Sequence, residues 1–69
     1  MDQTATYRRI PPSELYKFIV FLGGIVAIVR PDGARHIVFR GEIEHRLTLP
    51  LDSHRREMYE TALEYLKGG

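Results

Sequence analysis

The chain has no cysteine and no tryptophan among its 69 residues. Without cysteine there is neither a disulfide framework nor a thiolate metal cluster, so the staples of a small secreted domain are missing and the cytoplasm is the expected location. Nor is there a large excess of either charge. The formal net charge is +1, which by itself does not announce a nucleic-acid-binding surface. Nor is there a long hydrophobic run. The longest, "FIVFLGGIVAIV" from Phe18 to Val29, is broken at its centre by Gly23 and Gly24 and falls short of the roughly 20 apolar residues of a bilayer crossing. No small-residue cleavage pattern follows it, so no membrane partner is expected, and a signal or anchor segment is the lesser alternative. The length allows one domain, in which only about 60% of the unfolded chain's surface is buried.

The charge that is present is unevenly placed. From Arg30 to Arg56 six arginines face four acids, Asp32, Glu42, Glu44 and Asp52, whereas Glu57 to Lys67 is acidic. Eight of the ten cations are arginine, whose planar fork suits phosphate and carboxylate. The middle of the chain therefore leans towards an anionic partner.

Residues 1–12, "MDQTATYRRIPP", show no sustained period, and Pro11-Pro12 turns the preceding backbone away from helix. They read as an N-terminal arm ahead of a single domain over 13–69. Ser13 is a natural N-cap, and Leu15, Phe18, Ile19 and Leu22 repeat at helical spacing up to Gly23-Gly24, which predicts a first helix over about 14–22. "IVAIVR" is β-branched and apolar on both faces, and stops at the turn tripeptide Pro31-Asp32-Gly33. It predicts a first strand. "RHIVFR" alternates, with Ile37 and Phe39 on one face and His36, Val38 and Arg40 on the other, and predicts a second strand. "IEHRLTL" alternates again up to Pro50 and predicts a third, with Arg46 on its polar face. Asp52 or Ser53 then caps a final helix whose apolar stripe is Tyr59, Ala62, Leu63 and Leu66.

The expected class is therefore α+β, in the order α-β-β-β-α. Both helices are expected on one face of a three-stranded antiparallel sheet, the other face being left to solvent or a partner. With Ile37 and Phe39 turned to the helices, His36, Arg40 and Arg46 point to the open face, with Arg35 at the turn. That grouping suits a phosphate.

An α-β-β-β-α chain of this size, with "GARHIVFR" opening strand two and "RLTLP" closing strand three, resembles the HicA-type messenger-RNA interferases, the toxin halves of HicA/HicB toxin–antitoxin pairs. The similarity covers about 13–67. It implies a fold like the double-stranded-RNA-binding domain, a messenger-RNA substrate and a cognate antitoxin protein as partner. In that family a glycine, a serine, one variable residue or a histidine, and a final histidine precede an apolar strand. Here Gly33 matches the glycine, Ala34 stands where serine is usual, Arg35 takes the variable place, and His36 matches the histidine to which the resemblance assigns catalysis.

RNA carries its own nucleophile, the 2′-hydroxyl, so cleavage needs a group to take that proton and another to help the leaving 5′-oxygen, without a cofactor or a metal. A positioned imidazole contributes about 10²–10⁴-fold. His36 is the expected general acid or base, with Gly33, Arg35, Arg40, Arg46, Arg55 and Arg56 as the RNA-binding set. The plain alternative makes His36 a polar residue on a half-exposed strand. His45 reads as a core-edge residue and His54 as solvated. Opposite strand phases for His36 and His45 argue against shared metal ligation. Arg55 and Arg56 sit in a helix's first turn against the macrodipole, explained either by an Arg56–Glu60 pair or by a grip on a phosphate at the helix start. The alternative function is a non-catalytic RNA- or protein-binding module that uses the open sheet face.

Overall fold

A computed structural model describes residues 10–68. The element order is α1 (Pro12–Leu15), β1 (Lys17–Phe21), β2 (Ile25–Val29), β3 (Arg35–Phe39), α2 (Arg40–Arg46) and α3 (Ser53–Gly68). The three strands form one antiparallel sheet in the order β1-β2-β3. The α+β class and the three-stranded antiparallel sheet match the expectation, but the sheet is assembled from different segments of the chain. Of the arm read over 1–12, residues 1–9 lie outside the described residues, and Pro12 is buried as the first residue of α1.

The first departure is the segment expected as helix one. Proline suits the first helical position, and α1 begins there with the amides of Glu14 and Leu15 donating to the Pro11 carbonyl. It ends after a single turn, where Tyr16 becomes extended at φ −103°, ψ 156°. The next five residues, "KFIVF", are β-branched or aromatic apart from Lys17. Such side chains lose rotamer freedom in a helix and gain packing in a ladder. Gly23 and Gly24 take φ of +89° and +76°, turning the chain so that Phe21 pairs with Ile25 and Lys17 with Val29. The glycines expected to stop a helix instead close a hairpin.

The second departure is the segment expected as strand three. Its alternation is real, but Arg40, Glu42, Glu44 and Arg46 also stand four apart in opposite-charge pairs. Arg40 Nε lies 3.3 Å from Glu44, and Arg46 Nη2 lies 2.8 Å from Glu42. Ile43 supplies a fully buried anchor, and Leu47 packs on the core one turn later. Helix α2 therefore follows β3 directly, with the Arg40 amide donating to the Gly24 carbonyl at 2.8 Å. "GARHIVFR" accordingly opens the third strand, not the second.

Asp52 caps α3, its Oδ1 accepting from the Arg55 amide at 2.7 Å. Tyr59 and Ala62 are buried, and Leu63 and Leu66 pack beside them, as the periodicity predicts. Helix α3 crosses β1 and β2 while α2 lies against β3, so these two helices cover the same sheet face. The core is Val26, Ile28 and Val38 from the sheet with Ile43, Tyr59 and Ala62 from the helices.

This packing reverses the expected faces of the "RHIVFR" strand. Val38 pairs with Val26 and His36 with Ile28, which turns His36 and Val38 towards the helices. Ile37 and Phe39 stay 61% and 60% exposed. Phe18, in register with Ile28, joins Val26, Ile28 and Val38 on the covered face and packs on the core there, whereas Phe21 and Phe39 lie on the other face. On the uncovered face the register aligns three rows. Lys17, Val29 and Arg35 form one end, Ile19, Ala27 and Ile37 the middle, and Phe21, Ile25 and Phe39 the other end.

Candidate active site

A cavity of about 450 Å³ opens between the end of α1, the sheet and the two long helices. Its polar walls come from Arg30, His36, Arg46, His54 and Arg55, with the phenols of Tyr16 and Tyr59 and an apolar floor that includes Ile28. Two imidazoles and three guanidiniums thus share one space, although they span residues 30 to 55 of the sequence.

Each imidazole is held by a phenol. His36 Nε2 lies 3.0 Å from the Tyr59 hydroxyl, with the rings edge-on at 67°, and His54 Nε2 lies 2.8 Å from the Tyr16 hydroxyl at 86°. A phenol donates to a bare imidazole nitrogen and accepts from a protonated one, so each pair keeps its hydrogen bond in both protonation states. Both histidines are half-buried. The Tyr59 and Tyr16 pairs fix ring orientation, as an acid–base group requires.

The guanidiniums differ in how firmly they are set. Arg46 donates to Glu42 through Nε at 3.0 Å and Nη2 at 2.8 Å, and its guanidinium carbon stands 5.7 Å from the Tyr59 ring centre. The hydrogen bonds it donates to Glu42, followed by the field of the Tyr59 phenol, raise its pKa above the ordinary arginine value. Arg30 is exposed and 3.4 Å from Asp32, and Arg55 is exposed and 3.9 Å from Asp52. Such exposed pairs are worth little and yield readily to a competing anion. Asp32, Glu42 and Asp52 are not among the cavity walls. The space itself is lined by cations and neutral groups.

Of the residues expected at the site, His36, Arg46 and Arg55 meet in this cavity. His36 does so from the covered face of the sheet, contrary to the expected open face, and Arg46 from helix α2, contrary to the expected strand. Arg35 lies on the opposite face, in register with Val29 and Lys17. Arg40 is exposed at the start of α2 and pairs with Glu44. Gly33 holds φ +92° in the turn, next to an Ala34 amide that donates to Asp32 Oδ1 at 3.0 Å. Arg56 donates to the carbonyls of Leu47 and Leu49 at 3.2 and 3.1 Å, which ties down the loop after α2 and replaces the expected pairing with Glu60. His45 is exposed, contrary to its expected place at the core edge.

Four participants are absent from the expected set. Arg30 stands at the end of an apolar run and reads as the last residue of the first expected strand. His54 reads as solvated, Tyr59 as a member of the apolar stripe, and Tyr16 as part of helix one. The available signal was chemical: Tyr16 and Tyr59 are phenols, which need a polar partner when packed inside.

A neighbouring cavity of about 440 Å³ shares His54 but adds Glu57, Ser53 and the Pro11-Pro12 turn in place of the guanidiniums. Among the described residues no three His, Asp or Glu side chains converge as a metal site, and no helix is long and apolar enough to cross a membrane. No protein-family model, curated protein or solved structure matches the chain.

Proposed function

We propose that the cationic cavity binds an RNA phosphodiester and that the chain is a metal-independent endoribonuclease of the HicA kind, acting on messenger RNA in the cytoplasm and restrained by a cognate antitoxin protein. The observation that carries this reading is the meeting of His36 and His54 with Arg30, Arg46 and Arg55 in one cavity. The resemblance around "GARH" had singled out one of those two histidines.

The chemistry needs two proton carriers and a charge clamp. One imidazole takes the proton of the 2′-hydroxyl, and the 2′-oxygen attacks phosphorus. The bond from phosphorus to the 5′-oxygen breaks as the other, protonated imidazole gives that oxygen a proton. The products are a 2′,3′-cyclic phosphate and a 5′-hydroxyl. Guanidiniums hold the non-bridging oxygens, whose charge grows in the transition state. Arg46 is already oriented by Glu42, whereas Arg30 and Arg55 exchange weak carboxylate contacts for the phosphate.

The test is incubation of the purified chain with single-stranded RNA in a chelator. Cleavage to ends carrying cyclic phosphate, lost in His36→Ala and in His54→Ala with folding intact, supports the assignment. Salt-sensitive binding without cleavage leaves a non-catalytic RNA module. Cleavage undiminished in His36→Ala sinks the catalytic role.

A further inference from the structure

The sheet face away from the helices carries seven apolar side chains and two cations, with no acid, in the three rows set by the strand register. Four of the large side chains stay widely exposed: Ile19 at 47%, Phe21 at 50%, Ile37 at 61% and Phe39 at 60%. A contiguous apolar patch of several hundred Å² is a mark of an interaction surface. We propose that this face is occupied by a second copy of the chain, packed sheet on sheet about a two-fold axis.

The pattern of charge selects this occupant and its orientation. Two sheets stacked face to face by a two-fold rotation are related by an in-plane axis. If the axis runs along the strands, the Lys17 and Arg35 of one copy meet the Arg35 and Lys17 of the other, which is repulsive. If it runs across the strands through the middle row, the ends exchange. Lys17 then lies over the other copy's Phe21, and Arg35 over its Phe39. Cations seated on aromatic rings are attracted to them. In the same arrangement Ile19 meets Ile19 and Ile37 meets Ile37, around the small Ala27 at the centre. One row of cations and one row of aromatics at opposite ends of an apolar strip make the surface complementary to itself.

Closing this face on both copies buries on the order of 1,000 Å², at the lower edge of specific interfaces. An interface of that size falls in the weak, transient class, so the dimer is concentration-dependent. The cationic cavity lies on the helix side of the sheet and stays open in it.

Sedimentation velocity on the full chain, from about 1 to about 500 µM, tests the proposal. A rise from the 8.0 kDa monomer to twice that mass is expected, and its loss in Ile37→Asp, which sets two carboxylates against each other on the axis. Circular dichroism checks that this variant folds. The double variant Lys17→Ala/Arg35→Ala, which changes only exposed residues, is expected to weaken the dimer by about tenfold or more. A chain that stays monomeric throughout overturns the proposal, since the face then serves a different partner or none. Dimers that survive Ile37→Asp undiminished also overturn it, because they form elsewhere, as by pairing of strand edges.

Discussion

The two faces of the sheet come from the same three strands and are almost equally apolar, yet one is a core and the other a surface. On the covered side Val26, Ile28 and Val38 are at most 1% exposed and enclose Ile43, Tyr59 and Ala62. Polar groups enter there only with a partner, and His36 has Tyr59. On the other side Ile37 and Phe39 remain more than half exposed. Hydrophobicity therefore does not separate the faces. The reach of α2 and α3 does, and the chemistry-bearing groups follow the helices because cavities form at the margins of a packed layer.

The largest effects are expected where the covered face meets the cavity. His36→Ala and His54→Ala should each lower RNA cleavage by about 10²–10⁴-fold, read as initial rates on a labelled oligonucleotide. Arg35→Ala, on the opposite face, should leave those rates within a factor of about two, since rates respond to groups at the reacting phosphate. An equal loss in all three would break the comparison between faces. Next comes the stability contrast. Ile43→Ala removes a fully buried side chain and should cost about 2–5 kcal/mol by urea unfolding. Ile37→Ala should cost no more than about 0.5 kcal/mol in the monomer.

Arg56→Ala deletes the two hydrogen bonds to the Leu47 and Leu49 carbonyls and should cost about 1 kcal/mol. Arg56→Lys should restore only part of it, because one ammonium lacks the fork. The smallest effect is expected at the hairpin turn. The Ala34 amide, with the nearby Arg30 guanidinium, holds the Asp32 carboxyl below the usual carboxylate value. Its contribution is therefore present above the unfolded-state pKa and is lost as pH falls through the lower folded-state value. Asp32→Asn should flatten that acid limb of the stability profile, read by urea unfolding across pH.

Much of this architecture is legible in the chain. Helix α3 announces itself through Asp52 and the Tyr59, Ala62, Leu63, Leu66 spacing, set among the polar Glu57, Glu60, Thr61, Glu64 and Lys67. β2 and β3 are β-branched runs on either side of Pro31-Asp32-Gly33. The two misread segments were ambiguous for opposite reasons. In "LYKFIVFL" the helical spacing of Leu15, Phe18, Ile19 and Leu22 was accidental within a run apolar at nearly every position. In "RGEIEHRL" the alternation of Ile43, His45 and Leu47 concealed two salt-bridged i,i+4 pairs. His36 was found by its motif and Arg46 and Arg55 by their charge, whereas His54, Tyr16, Tyr59 and Arg30 join the site only through contacts made across the fold.

By itself the sequence determined the α+β class, the Asp52 cap of α3, the Pro31-Asp32-Gly33 turn and the basic middle from which the site draws its arginines, because these follow from local spacing and chemistry, whereas the expected Ser13 cap is replaced by a helix that starts at Pro12. Only the tertiary structure decided which face of an all-apolar strand lies inside, and therefore which side His36 serves. Period-two alternation names two faces but not the one the helices cover. That choice rests on Val26, Ile28 and Val38 packing against Ile43, Tyr59 and Ala62, an energy shared among residues up to 36 positions apart.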